Sequence, residues 1–443
     1  MIFIIHDIAE LYGRQINSQL VSENILTDSR IVRINSLKLV HGIPVCQRCG
    51  AKLNRKLAQL PNDNYYCYAC IHMGRVDSLS QLITVAETNM FSVPVKPLAW
   101  SGNLTSSQSE CSKAIVNVVD NLQTYLLWAV TGAGKTEMIF AGIEKALLDR
   151  KRVAIASPRI DVINELYPRL KAAFPNTKIC LLHGRTDTRY QYSQLTVCTT
   201  HQLLRFRRAF DLLIIDEVDV FPYAGNPQLH FAAGQAAKKR ASRLYLTATP
   251  DDYLLKLIKK KKITTSYLPR RYHGYPLPEI TVKKATHLRQ LIDQGKLPTA
   301  IIKIIKQIVG RQLLLIFVPK ISDLSLVGRA LALFSKDWRY ETVHSADPQR
   351  IEKVQAMRDG KLDFLITTTI LERGVTFRNL SVIVLNADND IFGTPALVQI
   401  AGRVGRSADY PSGLVQFFVE QRTAKIKAAQ MQIKKMNKMK NET

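Results

Sequence analysis

A phosphate-loop motif constrains the fold of this chain more than any other feature of its sequence. Residues 130–136, Val-Thr-Gly-Ala-Gly-Lys-Thr, follow an apolar run and precede a helical pattern. In that context a loop of small residues lets backbone N–H groups surround phosphate oxygens at the start of a helix. The first motif position, normally glycine, is Ala129, whose small side chain should leave the loop intact. The motif therefore predicts a parallel α/β domain that binds a nucleotide.

The residues of this loop have distinct predicted roles in binding ATP. We expect backbone N–H groups to surround the phosphates, the Lys135 amine to reach the β and γ phosphates, and the Thr136 hydroxyl to bind Mg²⁺. The alternative is a glycine-rich turn between a strand and a helix that binds no ligand. The predicted nucleotide-binding residues of the loop are Thr131, Gly132, Ala133, Gly134, Lys135 and Thr136.

An acidic pair follows the loop at the end of another apolar run. The run DLLIIDEVD predicts a buried strand that ends at Asp216 and Glu217. Ligands of open α/β sheets bind beyond the carboxyl ends of strands, so we expect Asp216 to bind Mg²⁺ and Glu217 to activate the attacking water. An acidic strand end is also common as a helix cap, but its position after a phosphate loop favours catalysis. Thr247 and Thr249, at the end of the next run, either link this site to a neighbouring element or form a turn with Pro250.

Apolar runs alternate with helical patterns over most of the chain. The runs are YLLWAV, RVAIASP, TVCTT, DLLIIDE and RLYLTATP, then QLLLIFVP, DFLITTT, SVIVLNAD and GLVQFFV. Such nearly continuous apolar runs are typical of parallel strands buried on both faces. The sequence therefore predicts an α/β fold with two tandem parallel-sheet domains. The predicted segments are 1–45 (unassigned role), 46–75 (four-cysteine module), 76–107 (linker), 108–265 (first α/β domain), 266–295 (interdomain segment), 296–422 (second α/β domain) and 423–443 (basic tail, a helix with a basic face).

Four of the seven cysteines form a regular pattern. Cys46, Cys49, Cys67 and Cys70 fit the spacing C-x₂-C-x₁₇-C-x₂-C, in which two CxxC turns supply four thiolates to one zinc ion. Sulfur at all four positions leaves no coordination site for water, so the predicted zinc is structural. Nearby aromatic residues either stack on bases or cover a small core, and we favour the core. These aromatic residues are Tyr65, Tyr66 and Tyr68. The remaining cysteines, predicted to be core residues, are Cys111, Cys180 and Cys198.

The chain is strongly basic, with 62 Lys and Arg against 36 Asp and Glu and a formal charge of +26. That excess favours a polyanionic partner: DNA, RNA or an anionic membrane surface. Contacts to phosphates would bind without reading base sequence, and base stacking on Phe221 or Tyr223 would add to them. A single charge run is also often a solvated face. The candidate basic runs are Arg205, Arg207 and Arg208; Lys259 to Lys262; Arg270 and Arg271; and the Lys-rich tail from Thr423.

The N-terminal residues do not predict export. They lack the basic start of a signal peptide, and Asp7 and Glu10 follow a short apolar run. The apolar stretches also fall short of the ~18 residues that predict a transmembrane helix. We therefore expect a cytoplasmic protein, in which reduced cysteines favour metal binding over disulfide formation.

An arginine pair in the second half completes the candidate site. The segment QIAGRVGR places Arg403 and Arg406 three residues apart on a predicted helix turn. Guanidinium groups suit multidentate phosphate contacts and stabilise charge that develops at a γ-phosphate. If the two α/β domains face each other, these arginines would act across the cleft, which nucleotide would close. The alternative is a solvated basic turn.

In their order along the chain, these motifs resemble those of the superfamily 2 helicases. AVTGAGKT resembles motif I, DEVD motif II, TAT motif III and QIAGRVGR motif VI, and TTTILERGVTF, which contains Gly374, resembles motif V. The resemblance implies two RecA-like domains that hydrolyse ATP, with Gly374 at the nucleotide. Gln108, which follows Leu104 and Thr105, resembles an adenine-reading residue or is a plain linker glutamine.

Within that superfamily the chain resembles the ComFA family. The resemblance is carried by DEVDVFPY, RRYHGYPLPE, TVHSADPQR, TTTILERGVTF, LVQIAGRVGRS and the four-cysteine module. It implies a Gram-positive competence ATPase that helps to draw single-stranded transforming DNA through a channel, in the cytoplasm at the inner face of the cell membrane. It also implies the ComEC channel, ComFC and DprA as partners, and a homo-oligomer is a further expectation.

We therefore expect an ATPase that needs Mg²⁺, is stimulated by DNA and translocates on single-stranded DNA during its uptake. A replication-restart or repair helicase that unwinds duplexes is the alternative in the same class. A zinc-containing adaptor that binds nucleic acid without turnover is the alternative in another class. The presence of Lys135, Asp216, Glu217, Arg403 and Arg406 argues against such an adaptor.

Overall fold

The chain forms two compact units. The computed structural model describes residues 4–184 and 189–439. One unit comprises Met1–Trp128 and Lys135–Ser266, and the other comprises Ala129–Gly134 and Tyr267–Thr443. Each unit contains a parallel β-sheet flanked by helices, and the first also carries a small cysteine module near its N-terminus. The predicted fold class is confirmed.

The N-terminal region consists of small antiparallel sheets and short helices. Its strands are β1 (Ile16–Asn17), β2 (Ile31–Asn35), β3 (Leu37–Val40), β4 (Ile43–Cys46), β5 (Gln59–Leu60), β6 (Asn64–Tyr65) and β7 (Gln81–Val85). Its helices are α1 (Glu23–Leu26), α2 (Arg55–Ala58) and the 3₁₀ helices Ile8–Leu11, Ser18–Leu20 and Ile71–Met73. Strand β7 lies between β1 and β2 and pairs antiparallel with both. Ile83 and Val85 of β7 are buried in a core with Leu11. The linker predicted over 76–107 is therefore wrong at β7.

The first parallel sheet has the strand order β10-β11-β9-β12-β13-β8-β14. Its strands are β8 (Thr124–Ala129), β9 (Val153–Ser157), β10 (Ile179–Leu182), β11 (Leu195–Thr199), β12 (Phe210–Asp216), β13 (Ala237–Thr247) and β14 (Thr264–Leu268). Its helices are α3 (Ser106–Asn121), α4 (Lys135–Met138), α5 (Phe140–Leu148), α6 (Ile160–Ala173), α7 (Pro227–Ala236), α8 (Asp252–Lys259) and the 3₁₀ helix Thr200–Arg205. The five apolar runs predicted as strands of this half form β8, β9, β11, β12 and β13.

Strands β8, β12 and β13 pair in parallel, so their carboxyl ends lie at the same edge of this sheet. Strand β13 pairs with β12 on one side and with β8 on the other, and Asp216 is opposite Leu246. The strand β8 ends at Ala129, directly before the phosphate loop, while β13 ends at Thr247. Since ligands of open α/β sheets bind at the carboxyl ends of strands, this edge is the candidate nucleotide site.

The second parallel sheet has the strand order β15-β20-β19-β16-β18-β17. Its strands are β15 (Thr281–Lys284), β16 (Leu313–Phe317), β17 (Tyr340–Val343), β18 (Phe364–Thr367), β19 (Leu380–Val384) and β20 (Val415–Val419). The accompanying helices are α9 (Leu288–Asp293), α10 (Thr299–Ile308), α11 (Ile321–Ala332), α12 (Arg350–Arg358), α13 (Thr394–Ala401), α14 (Ala424–Lys438) and the 3₁₀ helix Thr369–Glu372. Strand β15 pairs with β20, and Leu288 and Ile292 of α9 are buried in the core of this domain. The interdomain segment predicted over 266–295 is therefore wrong for β15 and α9.

The basic segment at the C-terminus forms the predicted helix. Ile426, Ala429, Ile433 and Met436 of α14 are buried, and the helix contacts α13. This apolar stripe fixes one face of α14, while its lysines lie on the other positions of the helix. In the part of the chain that the structure describes, no helix is both long and apolar enough to cross a bilayer.

Candidate active site and metal centre

The backbone of the phosphate loop requires its glycines. Gly132 and Gly134 have φ angles of +78° and +75°, the left-handed region that side chains with a Cβ rarely adopt. Between them, the Ala133 N–H donates to the Val130 carbonyl at 3.2 Å. Ala129 is fully buried as the last residue of β8, so its methyl group is accommodated in the strand. The sequence departure at Ala129 therefore leaves the curled loop in place.

Within the second unit, the first residues of the loop contact the last residue of β14, the segment after it and the turn after α13. The Val130 N–H donates to the Leu268 carbonyl at 3.1 Å, and the Tyr272 N–H donates to the Gly132 carbonyl at 3.1 Å. The Thr131 hydroxyl donates to the Gly402 carbonyl at 3.3 Å. A Cβ on Gly402 would lie closer than 3.0 Å to that hydroxyl, so glycine is needed for this approach.

The acidic pair lies at the end of β12 in the first unit. Burial and the neighbouring Glu217 raise the pKa of the Asp216 carboxyl to about 6, and the Lys135 amine opposes that rise. Lys135 is the first residue of α4, so helix start, amine and carboxylate share one site. Glu217 has φ +55° and its N–H donates to Asp216 Oδ1 at 2.9 Å. A glutamate held in the left-handed region is sterically unfavourable, and such strain is concentrated at functional sites.

The third acidic residue of DEVD is joined to the threonines that end β13. The Thr247 hydroxyl donates to Asp219 Oδ1 at 2.6 Å, and the Thr249 hydroxyl donates to Asp219 Oδ2 at 2.5 Å. The Thr249 N–H also donates to the Thr247 hydroxyl at 2.9 Å. The two threonines thus connect the end of β13 to the loop after Glu217, so a shift of either segment would move the other.

The arginine pair lies in the turn after α13, because that helix ends at Ala401. The Arg403 guanidinium is almost completely buried, and its Nε donates to the Glu372 carbonyl at 2.9 Å. Glu372 ends the 3₁₀ helix that precedes Gly374, a residue with φ +73°. The Arg406 Nε donates to the Gly402 carbonyl at 3.2 Å. Within the second unit, the fold therefore brings together the segments that resemble motifs V and VI.

Arg271 supports the same turn. Its side chain is buried and donates from Nη2 to the Gly402 carbonyl at 3.2 Å and from Nη1 to the Gly405 carbonyl. Burial and the nearby Arg406 lower the pKa of Arg271. The prediction that Arg271 contacts a nucleic-acid track is therefore wrong, because its side chain is buried and two of its donors bond to carbonyl groups of the protein. These two hydrogen bonds tie Arg271 to the turn that contains Arg403 and Arg406.

Gln108 takes part in a helix cap. Its N–H donates to the Thr105 hydroxyl oxygen at 3.3 Å, while its Oε1 accepts from the Thr105 N–H at 2.9 Å. This reciprocal capping box begins α3, and Gln108 is buried. The alternative of a plain linker glutamine is wrong, while a contact with adenine stays a prediction.

The four cysteines of the CxxC pairs meet in one cluster. Cys46, Cys49, Cys67 and Cys70 are fully buried, and their sulfur atoms all lie within 4.8 Å of one another. Three of the sulfur–sulfur distances are 3.6, 3.6 and 3.9 Å. Zn–S bonds of ~2.3 Å in a tetrahedron separate the sulfur atoms by about 3.8 Å, whereas a disulfide needs about 2.05 Å. The cluster therefore has the dimensions of a tetrahedral zinc site.

An arginine stabilises one thiolate of this cluster. Arg48 Nη2 lies 3.0 Å from Cys70 Sγ and also donates to the carbonyls of Cys70 and Gly74. Donors aimed at sulfur favour the charged thiolate that binds metal. Tyr65 is buried in the surrounding core, as expected, while Tyr68 remains 37% exposed. The residues present thus fit a structural Cys₄ zinc site.

The basic and aromatic residues that were predicted to contact nucleic acid differ in how exposed they are. Tyr223 is buried, so its predicted stacking on bases is wrong, while Phe221 is 82% exposed and keeps that prediction. Arg205 is partly buried and its carbonyl accepts from the Gln15 N–H. Lys259 to Lys262 are exposed at the end of α8. Arg207 and Arg208 line a cavity.

Three family descriptions match successive parts of the chain. They are the competence protein ComFA N-terminal domain over residues 9–84, the res subunit of type III restriction enzymes over 101–252, and the helicase conserved C-terminal domain over 296–408. The first match covers the cysteine module, and the other two cover the parallel-sheet domains.

Relatives and solved structures agree with these matches. Competence protein ComFA of Bacillus subtilis is 41% identical over 400 residues, covering 89% of this chain and 86% of the relative. Competence protein ComFA of Streptococcus pneumoniae is 39% identical over 424 residues, covering 95% and 97%. The structure of S. cerevisiae Dbp5 bound to RNA and ADP BeF3 superposes with a TM-score of 0.55 at 15% identity, covering 76% of this chain and 92% of that one. The last likeness supports the helicase fold alone.

Proposed function

Because this chain belongs to the ComFA family and carries the two domains of a superfamily 2 helicase, we propose that it is a DNA-stimulated ATPase that translocates on single-stranded DNA during genetic competence. The observation that carries this proposal is the convergence of Lys135 with the Asp216–Glu217 pair at the carboxyl edge of the first sheet. A catalytic lysine beside two carboxylates at that edge suits phosphoryl transfer to water.

Each site residue has a role in this proposal. Lys135 neutralises charge on the β and γ phosphates, while N–H groups of the loop from Thr131 to Gly134 bind phosphate oxygens. Glu217 orients the attacking water and accepts its proton. Mg²⁺, when held by Thr136 and Asp216, supplies further neutralisation of the phosphate charge.

The second domain supplies the remaining groups. Arg403 and Arg406 stabilise the charge that develops on the γ-phosphate, and Gly374 allows close approach of the backbone. Arg271 positions the turn that carries both arginines through its bonds to the Gly402 and Gly405 carbonyls. Gln108 contributes to adenine selection in this scheme.

We also propose that the four-cysteine cluster holds a structural zinc ion. The thiolate set and its dimensions support that choice, and the closed shell excludes a catalytic water. By family membership, the ComEC channel, ComFC and DprA are proposed partners of a chain that assembles as a homo-oligomer at the inner face of the cell membrane. In this proposal, the single-stranded DNA that is taken up during competence is the polymer on which the motor moves.

The proposal is tested by the polymer dependence of ATP turnover. We expect single-stranded DNA to raise the ATPase rate more than duplex DNA or RNA, with an apparent affinity that falls between low and high salt. A strand-displacement assay in parallel separates translocation from unwinding. Efficient unwinding would favour the replication-restart or repair helicase, and ATPase activity that is absent under every condition would favour the nucleic-acid-binding adaptor.

A further inference from the structure

A basic cavity of about 480 Å³ lies at the amino-terminal edge of the first parallel sheet. Strand β12 begins here at Phe210 and ends at Asp216. At ~3.3 Å per residue, the two ends of this strand are roughly 20 Å apart, so the cavity is at the edge opposite to the acidic pair. It is separate from the candidate nucleotide site. The lining residues that matter here are Arg207, Arg208, Lys238, Lys239, Arg243 and Phe231.

A bulge in β13 presents part of this charge. Phe210 of β12 pairs with Ala237 of β13, and Leu212 pairs with Ser242, so β13 advances five residues while β12 advances two. The intervening residues of β13 leave the ladder, as extra residues in a bulge do. Lys238 and Lys239 are among them, and Lys239 is exposed. In a regular strand, Lys238 and Lys239 would point to opposite faces of the sheet, whereas in this bulge both line the cavity.

The cavity has a large excess of positive charge. Among the described residues, Lys238 is the one cation of the five with a carboxylate within 4.0 Å, since its Nζ lies 2.9 Å from Asp211 Oδ1. Burial and the neighbouring Arg208 lower the pKa of Arg207, as expected for cations held close together. The other four cations have no carboxylate within 4.0 Å in the part of the chain that the structure describes, which makes the cavity complementary to a polyanion.

Phe231 adds an aromatic surface to this charge. The ring is 42% exposed, and one side of it is covered by the first CxxC turn, since a Cβ on Gly50 would lie 2.6 Å from the ring. Gln235, also in the lining, donates to the Gln47 carbonyl at 3.2 Å. The cysteine module thus holds a phenyl ring at the mouth of a basic cavity.

We propose that this cavity binds the phosphodiester backbone of single-stranded nucleic acid, with one base stacked on the exposed side of the Phe231 ring. Cations that track a backbone beside an aromatic platform are the combination that binds single strands without sequence preference. A duplex keeps its base faces inside the helix, and a cavity in the ~300–1,000 Å³ range of small-ligand sites admits a nucleotide rather than a duplex. The choice of nucleic acid as the polymer rests on the proposed function. Binding of an oligonucleotide to the cavity is measured without ATP, so it does not depend on ATP turnover.

The test compares two double substitutions that remove equal charge. Arg208→Ala/Lys239→Ala alters exposed cations of the cavity, and Lys303→Ala/Lys306→Ala alters exposed cations on α10. Binding of a fluorescent oligothymidylate is measured by anisotropy over a range of salt concentrations. The cavity variant should bind roughly tenfold more weakly, and its slope of log affinity against log salt should be smaller by about 1.4, because each single-strand phosphate contact contributes about 0.7. The control should change less than about twofold.

A third variant separates stacking from charge. Phe231→Leu keeps an apolar side chain against Gly50, and should weaken oligothymidylate binding by roughly fivefold or more with the salt slope unchanged. Equal losses in the cavity and control double variants, or unchanged binding by Phe231→Leu, would overturn the proposal.

Membrane binding and failure of the motor give distinguishable results. If the cavity double variant lost binding to phosphatidylglycerol vesicles but kept wild-type affinity for oligothymidylate, the cavity would be a lipid site and the proposal would be overturned. If single-stranded DNA did not stimulate the wild-type ATPase and the cavity variants still bound the oligonucleotide more weakly, the cavity assignment would stand while the motor would not. If stimulation were present and cavity variants bound normally, only the cavity assignment would fail.

Discussion

Replacing Gly405 with alanine should damage the turn that carries Arg403 and Arg406. Gly405 has φ +69°, and a Cβ there would lie closer than 3.0 Å to the Pro411 carbonyl and 2.9 Å from Arg271 Nη1. Neither neighbour can give way easily, since one is backbone and the other donates to Gly405 itself. The turn must therefore shift.

Gly360 provides a matched control for the part of the destabilisation that comes from the left-handed backbone conformation. Its φ is +71°, and a Cβ there would meet nothing within 4 Å. Gly360→Ala should therefore cost only the left-handed strain of about 1–2 kcal/mol. Gly405→Ala adds the overlap with Pro411 and Arg271, which at the usual cost of overpacking is about 1–3 kcal/mol more.

Thermal unfolding and steady-state ATPase assays measure the two consequences. At roughly 2–4 °C per kcal/mol for a domain of this size, Gly360→Ala should lower Tm by about 2–8 °C and Gly405→Ala by clearly more. Displacement of Arg406 should also lower kcat of Gly405→Ala by at least about tenfold, with kcat of Gly360→Ala near wild type. Equal Tm and equal kcat in the two variants would refute the role given to this turn.

Two further predictions concern a buried ion pair and the cysteine cluster. Arg152 and Glu87 form a fully buried ion pair at 2.5 Å, and Arg152 also donates to the Tyr12 carbonyl at 2.8 Å. In urea unfolding, Arg152→Met alone should lower the free energy of unfolding by about 3–5 kcal/mol, and Arg152→Met/Glu87→Gln should lower it by clearly less than the sum of the two single changes. Additive losses of stability would contradict the ion pair. Cys49→Ser should abolish stoichiometric zinc in the purified protein and make its stability insensitive to chelator. Cys111 is a buried cysteine outside the cluster, so Cys111→Ser should retain zinc. Full zinc occupancy in Cys49→Ser would rule out the Cys₄ assignment.

Features encoded in one short stretch of sequence were predictable. The phosphate loop, the strand ending at Asp216 and the paired CxxC turns each depend on neighbours within a few residues. The apolar runs identify buried parallel strands because both faces of those strands are covered. These patterns suffice for the fold class and for the residues that converge at the carboxyl edge of the first sheet.

Features that depend on distant partners were not predictable from patterns. Strand β7 is fixed by pairing with β1 and β2, which lie far from it in sequence, and β1 is only two residues long. Arg271 resembles any exposed arginine in sequence, and only the carbonyls of Gly402 and Gly405, more than a hundred residues away, explain its burial. The basic cavity likewise needs residues from β13, α7 and the segment before β12.

The most direct test of the central claim is ATP turnover by a Glu217→Gln variant in saturating single-stranded DNA. Glu217 is held beside Asp216 at the end of β12, and glutamine keeps its size while removing the carboxylate that accepts a proton. The account predicts wild-type affinity for ATP with kcat lowered by roughly 100-fold or more, the usual contribution of a general base. Turnover by Glu217→Gln at the wild-type rate would contradict it.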